Sequence, residues 1–536
     1  MSQAMIAAPQ PEAVEAGAVV LQQGGNAVDA AIACALVQGV VDPQMCGIAG
    51  FGSLQLYLPA SGDHYCIDFH GNAPGATRDD MWAGLIESEA PDGFGFILQD
   101  NVNDLGYQSI TVPGSLKAYF EAQTRHGIMH WADVVQPAIA WAERGSMVRP
   151  QMVQFWNVED GSGRVQTRER LAFTDTGKQI YFNADGSLKQ LGQTLHNPDL
   201  AETLRRIARD GADTFYTGAI AREIADDMAA NGALLTLDDL KTYATVKNDP
   251  LWGEYRGHRF STNQPPGGGV MLVEMLNTLE HFDLASLGHN STEYLRIVSE
   301  VMKRATTDKD NFVGDPAFVD VPLDHLCDKA YAEAMAAAIQ AGERARVDRY
   351  NQPESSKTTH VAVVDAAGNA VSMTHSLGMP SGVITAGLGF MYNGCMAVFD
   401  PRPGRADSLA AGKSRFSSMC PTIVFEGDKP CIVVGAPGGT QIAMGVLQSI
   451  LNVIDFDMDM QQAVSAPRFS STSNAIDVSN RIPAYTTQPL ADAGYEIRRH
   501  PLSFAFALVH GIQIKGGHMN GGADPGGDGM ALSVAL

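Results

Sequence analysis

The sequence has no long apolar run and comparatively little positive charge. No stretch reaches the roughly 18 uninterrupted apolar residues of a membrane-spanning helix, and residues 1–5 lack the basic and apolar stretches of a secretion signal. Lysine and arginine number 37 against 60 aspartates and glutamates, a formal net charge of −23 that repels nucleic-acid phosphates and anionic lipids. We therefore expect a cytoplasmic protein that binds neither nucleic acid nor membrane.

Several common catalytic and ligand signatures are also missing. The sequence contains no Gly-x-Ser-x-Gly and no His-Glu-x-x-His segment, and its seven cysteines are scattered without a Cys-x-x-Cys pair. An odd number of dispersed cysteines is typical of reduced thiols that serve as small core residues in the cytosol. The 14 histidines are equally dispersed, so neither a metal nor another cofactor is expected.

Core-forming residues, by contrast, are plentiful at 45% hydrophobic, and their spacing changes along the chain. Apolar periodicity predicts helices at 12–23, 27–36, 200–209, 271–279, 301–310 and 331–341. Alternation predicts strands at 53–58, 65–69, 255–260, 359–364, 370–375, 423–425 and 431–434. No linker or internal repeat separates the helical middle from the strand-rich end, so a single α/β architecture is expected rather than independent domains.

The segment Lys357-Thr358-Thr359-His360 is the most informative part of the chain, because paired threonines open an apolar strand. Amide hydrolysis needs an activated nucleophile, and a hydroxyl is weak until a neighbouring base takes its proton. The α-amine of an N-terminal threonine, with a reference pKa of about 7.7 to 8.0, can be that base. The segment therefore predicts self-cleavage, in which the Thr358 hydroxyl attacks the carbonyl of Lys357. A threonine pair at an ordinary strand start is the structural alternative.

Two downstream segments strengthen the catalytic interpretation. Residues 435–439 form a glycine-rich turn between a predicted strand and a helix, where Gly438 and Gly439 could aim backbone N–H groups at a developing oxyanion. Such a donor contributes about 2.7 to 4 kcal/mol to transition-state binding. Ser417 and Ser418 offer two hydroxyls just before another strand. A packing turn and ordinary turn serines explain the same residues equally well.

These segments together resemble the gamma-glutamyltranspeptidase family. The matching segments follow the family order over almost the whole length, at 24–31, 112–114, 137–139, 314–316, 358–360, 365–369, 417–419 and 437–439. The resemblance implies an N-terminal-nucleophile fold, a four-layer αββα sandwich made as a proenzyme. Cleavage before the first threonine would give a large subunit of residues 1–357 and a small subunit of residues 358–536.

The resemblance also assigns catalytic and binding roles. It makes Thr358 the nucleophile, Gly438 and Gly439 the oxyanion hole, and Ser417 and Ser418 the substrate-contacting serines. Ser376 takes the place of a threonine whose hydroxyl assists the nucleophile, so a hydroxyl is retained there.

Three departures from the family fall where a glutamyl group would be bound. His70 aligns with the carboxylate-binding arginine, yet an imidazole is largely neutral near pH 7 and cannot supply a guanidinium fork. Gly378 replaces an asparagine, and Val398 replaces the acid that binds the substrate amine. An ammonium group placed against valine would lose its charged partner, so the resemblance implies retained machinery with changed specificity.

We therefore expect a self-processing amidohydrolase or acyltransferase that acts on a non-glutamyl acyl amide through an acyl-enzyme. The acyl group is either a small carboxylated one or a more apolar one suited to Val398 and Met396, and the acceptor is water or an amine. One alternative is a true gamma-glutamyl hydrolase or transpeptidase whose clamp is rebuilt by Lys413 or Arg415. Another is an uncleaved, inactive homologue that serves as a scaffold. A homo-oligomer and a lid over the pocket stay open.

Overall fold

Two antiparallel sheets form the centre of the molecule. The computed structural model describes residues 3–90, 95–158, 163–347 and 358–536. Its strands are β1 (Gln3–Ala8), β2 (Phe51–Leu58), β3 (Asp63–Phe69), β4 (Ile86–Glu89), β5 (Phe96–Leu98), β6 (Ser146–Met147), β7 (Thr194–Leu195), β8 (Val246–Asn248), β9 (Leu251–Tyr255), β10 (His258–Thr262), β11 (Thr359–Val364), β12 (Ala370–Ser376), β13 (Thr422–Glu426), β14 (Lys429–Gly435), β15 (Phe469–Ser470), β16 (Ile476–Val478), β17 (Ile497–Arg499), β18 (His510–Lys515), β19 (His518–Ala523) and β20 (Met530–Ala535). The larger sheet has the order β20-β1-β11-β12-β2-β3-β8, and the smaller one has the order β19-β18-β14-β13-β10-β9.

The described residues form nineteen helices, some of which cover the outer faces of the two sheets. They are α1 (Pro11–Gln22), α2 (Ala27–Val41), α3 (Ser115–His126), α4 (Trp131–Arg144), α5 (Pro150–Trp156), α6 (Thr167–Leu171), α7 (Asp175–Tyr181), α8 (Pro198–Asp210), α9 (Asp213–Tyr216), α10 (Ala219–Ala230), α11 (Leu237–Thr242), α12 (Gly269–Leu279), α13 (Leu284–Leu287), α14 (Thr292–Phe312), α15 (Leu323–Leu326), α16 (Lys329–Gln340), α17 (Ile442–Ile454), α18 (Met460–Ser465) and α19 (Ala484–Asp492). Short 3₁₀ turns occur at Ala83–Leu85, Gln99–Asn101, Tyr107–Ser109, Cys395–Val398 and Gly439–Gln441.

Three apolar layers hold the sandwich together. Side chains of β1, β11 and β12 pack against those of β13, β14 and β18 between the two sheets. The other face of the larger sheet packs on α1, α2, α3 and α4, and that of the smaller sheet on α12, α14 and α17. Burial of apolar area on both faces of each sheet drives this arrangement. The predicted four-layer αββα sandwich is confirmed.

Helix α2 shows how the sequence specifies a buried helix. Asn26 accepts hydrogen bonds from the amides of Val28 and Asp29 at 2.9 and 3.1 Å, while the Asp29 carboxylate accepts from the Asn26 amide at 3.1 Å. This capping box satisfies amides that the first turn leaves without helical partners. Nearly every residue of the helix is buried, including the polar Gln38, so α2 is a core element with one buried amide side chain.

The strand that follows Thr358 lies inside the larger sheet. β11 pairs with β1, where Met5 lies opposite Val364, and with β12, where Thr359 lies opposite His375. The predicted hairpin at 359–364 and 370–375 is confirmed. Its turn is closed by Asp365, whose carboxylate accepts from the amides of Ala367 and Asn369. Strands from both sides of residue 358 therefore share one sheet.

The single strand predicted over 255–260 is wrong. The structure has a tight hairpin there, with β9 ending at Tyr255 and β10 beginning at His258. The two connecting residues, Arg256 and Gly257, both have positive φ, +52° and +77°. A two-residue turn of this kind matches the natural twist of an antiparallel pair, and Gly257 adopts it without strain.

The described ranges contain no helix that is both long and apolar enough to cross a bilayer. All seven cysteines lie in these ranges as free thiols, five of them buried and two half-buried. Their role as small core residues is confirmed for the buried five.

Candidate active site

The hydroxyl of Thr358 meets the hydroxyl of Ser376 at the ends of two neighbouring strands. Because Thr359 pairs with His375 across β11 and β12, the register brings residues 358 and 376 together. Thr358 Oγ1 donates to Ser376 Oγ at 3.3 Å, and the same Oγ accepts from the amide of Gly378 at 2.8 Å. Thr358 is 8% exposed. The predicted nucleophile is therefore held by a second hydroxyl that a backbone amide fixes in place.

Thr358 borders a small cavity of about 30 Å³, which we call the Thr358 cavity. Its described lining residues are Thr358, Gly378, Met379, Gly394, Cys395, Val398, Arg415, Ser417, Ser418, Met419, Gly439 and Ile442. Six of these are residues that the sequence marked as site residues. The fold thus gathers Thr358, the serine pair, Gly439 and the two altered clamp positions, Gly378 and Val398, around one space.

Gly438 and Gly439 lie where β14 gives way to α17. Their φ angles are +149° and +53°, and Gly439 begins the 3₁₀ turn that leads into the helix. A Cβ on Gly438 would lie 2.6 Å from both Cα and Cβ of Ala507. Glycine is thus required at residue 438 by conformation and by space. This geometry places a backbone turn at the edge of the cavity, as an oxyanion hole needs.

The serine pair rests on the start of α12. The amide of Ser417 donates to the carbonyl of Pro266 at 2.8 Å, and the amide of Gly268 donates to the carbonyl of Met419 at 2.8 Å. A Cβ on Gly268 would lie 2.5 Å from the carbonyl oxygen of Ser418, so glycine permits this close approach. The backbone that carries both hydroxyls is therefore fixed against a helix.

His70 is buried but is not among the described residues that line the Thr358 cavity. Its amide donates to the Asp68 carboxylate at 2.8 Å, and its Nδ1 contacts the same carboxylate. The imidazole also lies against the Phe51 ring, with centroids 5.9 Å apart. The structure thus places this histidine in a pair with an acid, and its role in substrate binding stays a prediction.

The two cations considered for a rebuilt clamp have different surroundings. Lys413 Nζ donates to the carbonyls of Ala406 and Ser408 at 2.7 and 2.9 Å, and Lys413 is not among the described lining residues. Arg415 lines the cavity, is 3% exposed, and has its guanidinium carbon 4.5 Å from the centre of the Phe51 ring. Arg415 is therefore the cation that reaches the space beside Thr358.

Cys395 forms part of the same wall. Burial raises the pKa of its thiol to about 11, against the opposing charge of Arg415 and hydrogen bonds with Thr111 and Arg415. At neutral pH the side chain is therefore a neutral thiol. It contributes a small, largely apolar surface with a weak S–H donor to the cavity wall.

A buried polar network beneath the nucleophile was missed in the sequence. Gln38 Nε2 donates to the Thr359 hydroxyl at 2.8 Å and to the Gln10 side chain at 2.7 Å. Gln38 Oε1 pairs with His375 Nε2 at 2.8 Å, and the other ring nitrogen pairs with the Tyr119 hydroxyl at 2.6 Å. Burial lowers the pKa of His375 to about 3, so the imidazole is neutral at physiological pH. The sequence signal for this network was Gln38 itself, a polar residue in the largely apolar second half of α2.

The predicted cleavage point is described on one side only. Thr358 belongs to the described residues, whereas Lys357 lies outside them. Cleavage between these two residues therefore stays a prediction.

Comparison with known proteins agrees with this geometry. The family profile described as Gamma-glutamyltranspeptidase matches residues 13–534. The chain is 37% identical over 504 residues to the Acylase ACY 1 proenzyme of Pseudomonas sp. (strain SE83), covering 93% of this chain and 88% of that protein. It is 34% identical over 491 residues to the glutathione hydrolase proenzyme of Escherichia coli (strain K12), covering 87% of this chain and 80% of the relative.

A solved structure shows the same likeness in three dimensions. The crystal structure of cephalosporin acylase from Bacillus halodurans superimposes with a TM-score of 0.87 at 27% identity, over 99% of this chain and 96% of that one. The fold and these likenesses define an amidohydrolase with the N-terminal-nucleophile fold. The chain belongs to the gamma-glutamyltranspeptidase family, so the resemblance inferred from its motifs is confirmed.

Proposed function

We propose that the chain is a self-processing amidohydrolase whose N-terminal nucleophile is Thr358 and whose substrates are acyl amides other than γ-glutamyl ones. One observation carries the specificity: the described residues that line the Thr358 cavity include no aspartate or glutamate. A γ-glutamyl group would bring a charged ammonium into this space without a carboxylate to meet it.

Maturation begins with the uncut chain. The Thr358 hydroxyl attacks the carbonyl carbon of Lys357, and the acyl group moves from nitrogen to oxygen to give an ester. Water hydrolyses that ester, releasing a carboxylate on Lys357 and a free α-amine on Thr358. The contact with Ser376, itself held by the Gly378 amide, keeps the hydroxyl in one orientation for this attack. The products are a large subunit of residues 1–357 and a small subunit of residues 358–536.

Turnover uses the same oxygen. The Thr358 α-amine takes the hydroxyl proton while Oγ1 attacks the substrate carbonyl, and the resulting oxyanion faces the amides of Gly438 and Gly439. The C–N bond then breaks and the leaving amine takes the proton, which leaves an acyl ester on Thr358. Water attacks this ester with the α-amine again as base and releases the acid. An amine in place of water would give a new amide.

The altered clamp positions set the specificity in this proposal. Val398 ends the turn Cys395–Val398 and is 8% exposed, and Gly378 has no side chain to donate or accept a hydrogen bond. A desolvated ammonium beside Val398 would lose several kcal/mol of binding free energy. An acyl group without that ammonium avoids the loss.

A matched substrate pair tests this function. γ-Glutamyl-p-nitroanilide and glutaryl-p-nitroanilide differ only in the α-ammonium, so the ratio of their kcat/KM values measures the cost of that charge. We expect wild-type protein to separate into two fragments on denaturing electrophoresis and to favour the glutaryl compound by at least tenfold. Thr358→Ala should stay in one piece and be inactive, while Thr487→Ala, which lies in α19, should cleave normally.

Three results would contradict the proposal in different ways. A preference for the γ-glutamyl compound identifies a true gamma-glutamyl enzyme. Cleavage and turnover by Thr358→Ala remove the nucleophile assignment. A single band from wild-type protein that persists on long incubation identifies an uncleaved scaffold.

A further inference from the structure

The backbone turn of residues 437–439, which we call the oxyanion turn, packs against the chain segment just before β18. The Leu508 amide donates to the carbonyl of Pro437 at 3.0 Å. A Cβ on Gly438 would lie 2.6 Å from Cα of Ala507, so the two backbones are in close contact. The position of the amides in the oxyanion turn therefore depends on where this segment lies.

A buried ion pair holds the segment, residues 507–509, from its other side. The Asp524 carboxylate accepts from the Val509 amide at 3.2 Å and, through its second oxygen, from the Gly526 amide at 2.8 Å. Arg468 Nη2 contacts the first of these oxygens, and its Nη1 donates to a carbonyl of α18 at 2.6 Å. The arginine and aspartate side chains are 3% and 0% exposed. Burying the carboxylate is costly, and the guanidinium offsets that cost.

The hydrogen bond from Asp524 replaces one that a strand would otherwise supply. Residues 507–509 are buried but precede the first residue of β18, so the Val509 amide donates to a side chain instead of a neighbouring strand. A buried amide needs such a partner. The pair thus joins three parts of the chain that are far apart in sequence: the end of α18, the end of β19 and the segment that contacts the oxyanion turn.

From these contacts we infer that Arg468 and Asp524 are positioning residues for the oxyanion turn. The carboxylate fixes the 507–509 segment, and that segment fixes the turn. Neither side chain is among the described residues that line the Thr358 cavity, so both act through the backbone. The inference rests on the proposed function, because it is the reaction at Thr358 that uses the amides of the turn.

The test removes the charge of the carboxylate and measures kcat and KM separately on the preferred anilide. We expect Asp524→Asn to lower kcat by about 10- to 30-fold and to change KM by less than about threefold, because the turn stabilises the transition state rather than the bound substrate. Arg468→Lys keeps the positive charge and should lower kcat by only about threefold. Rates are expressed per cleaved small subunit, counted by mass spectrometry, so that incomplete maturation does not enter them.

A double-mutant comparison separates positioning from a general loss of stability. Gly438→Ala already displaces the turn, so adding Asp524→Asn should lower kcat by less than about twofold more. In Ser376→Ala the turn is intact, and the same substitution should keep its effect of about 10- to 30-fold. Losses of equal size in the two backgrounds would overturn the inference, because the ion pair would then act independently of the turn.

Asp455 provides a matched acid at the far end of α17. Its carboxylate accepts from the Tyr255 hydroxyl at 2.8 Å and from Arg256 Nε at 3.3 Å, and its side chain is 4% exposed. We expect Asp455→Asn to lower the midpoint of urea unfolding and to leave kcat and KM within about twofold. A loss of kcat as large as that of Asp524→Asn would show that any buried ion pair near this helix has the same effect, which contradicts a specific positioning role.

Amide hydrogen exchange tests the inference without turnover. Peptides that cover residues 437–441 should exchange at least about fivefold faster in Asp524→Asn than in wild type or Asp455→Asn, and unchanged exchange would overturn the inference. Should Asp524→Asn fail to fold, Arg468→Lys takes its place, with a rise of about twofold expected. Turnover that survives Thr358→Ala removes the proposed function instead, while faster exchange in these peptides would still connect the ion pair to the turn.

Discussion

Thr358 Oγ1 and Ser376 Oγ lie 3.3 Å apart, at the ends of β11 and β12, and the Gly378 amide fixes the serine oxygen from the other side. Removing the serine hydroxyl leaves the threonine free to rotate. We expect Ser376→Ala to slow both subunit cleavage and kcat by about tenfold, the worth of one hydrogen bond near the upper end of its range. Ser376→Thr should keep most of both rates.

A second serine of the same strand serves as the control for that prediction. Ser372 is buried like Ser376, but its hydroxyl donates to the carbonyl of Val434 at 3.1 Å, away from the nucleophile. Ser372→Ala should lower the free energy of unfolding by about 1 kcal/mol and leave kcat within twofold. Equal kinetic losses in Ser372→Ala and Ser376→Ala would show that the Ser376 hydroxyl has no special part in catalysis.

Gly438→Ala should abolish the proposed oxyanion site. The added Cβ would meet Ala507 at 2.6 Å in a backbone conformation that alanine rarely adopts, so the turn must shift. Loss of an oxyanion donor lowers kcat by about 100- to 1,000-fold, and we expect that range for turnover measured with a purified variant. Gly427→Ala, at the β13–β14 turn with a φ of +61° and open space around it, should cost stability and leave kcat unchanged.

Val398→Asp should restore part of the missing clamp. A carboxylate at this position would face the cavity and offer a partner to the α-ammonium of a γ-glutamyl substrate. We expect the ratio of kcat/KM for γ-glutamyl-p-nitroanilide to that for glutaryl-p-nitroanilide to rise by at least tenfold. Val398→Asn has the same size without the charge, and a similar rise in that variant would show that shape rather than charge sets the preference.

The buried glutamine of α2 should matter for both stability and maturation. Gln38→Leu would leave the Thr359 hydroxyl, the Gln10 amide oxygen and a ring nitrogen of His375 short of a partner. The Thr359 hydroxyl still donates to Gln10 Oε1 at 3.0 Å, so the His375 ring nitrogen is the group that loses its bond outright. An orphaned buried group costs about 1 to 3 kcal/mol, so we expect a loss of that size in urea unfolding and slower subunit cleavage. Gln22→Leu, exposed at the end of α1, should alter neither quantity.

Buried histidines should make the protein sensitive to acid. Burial lowers the pKa of His375 and of His510 to about 3, and it lowers that of His360 well below its usual value. Histidines of the unfolded chain titrate near pH 6.5. The contribution of these three buried histidines to the free energy of unfolding is therefore complete above that pH and is lost as the pH falls toward 3. The expected slope is about 1.4 kcal/mol per pH unit for each histidine, measured as the pH dependence of the unfolding free energy.

A histidine variant separates the contribution of the buried histidines from that of the buried aspartates. Burial raises the pKa of Asp407 and of Asp477 to about 6, and their contribution has the opposite sign because it is lost as the pH rises through 6. The comparison is therefore between wild type and His510→Leu over pH 5 to 6.5. A shallower slope in the variant is expected, and an unchanged slope would show that His510 is not part of the acid sensitivity.

The central hairpin could be predicted from the sequence because its signals are local. Two alternating apolar runs flank a turn whose Asp365 and Asn369 are typical turn residues, and the predicted and observed strand bounds differ by at most one residue. The β9–β10 hairpin was missed for an equally local reason. The aromatic residues Tyr255 and Phe260 favour a strand over the whole segment, and the single Gly257 between them is only a weak turn signal.

The members of the site were largely predictable from motifs, but their surroundings were not. Thr358, Gly439 and the serine pair lie in segments with recognisable local patterns. Gln38 and Arg415 make contacts with residues distant in the chain, and the local sequence around a single side chain does not show which residues it contacts after folding. The cytoplasmic location expected from composition stays a prediction.

The strand order of the larger sheet affects whether the cleaved enzyme can refold after it unfolds. β11 and β12 lie between β1 on one side and β2 on the other. A cut before Thr358 would therefore leave two polypeptides whose strands alternate within one sheet. Before the cut, folding is unimolecular. Afterwards, a molecule that unfolds must find its other half by diffusion, which makes recovery dependent on concentration. Thermal inactivation of the mature enzyme should therefore be irreversible at low concentration, and its lifetime should follow the rate of unfolding rather than the equilibrium stability.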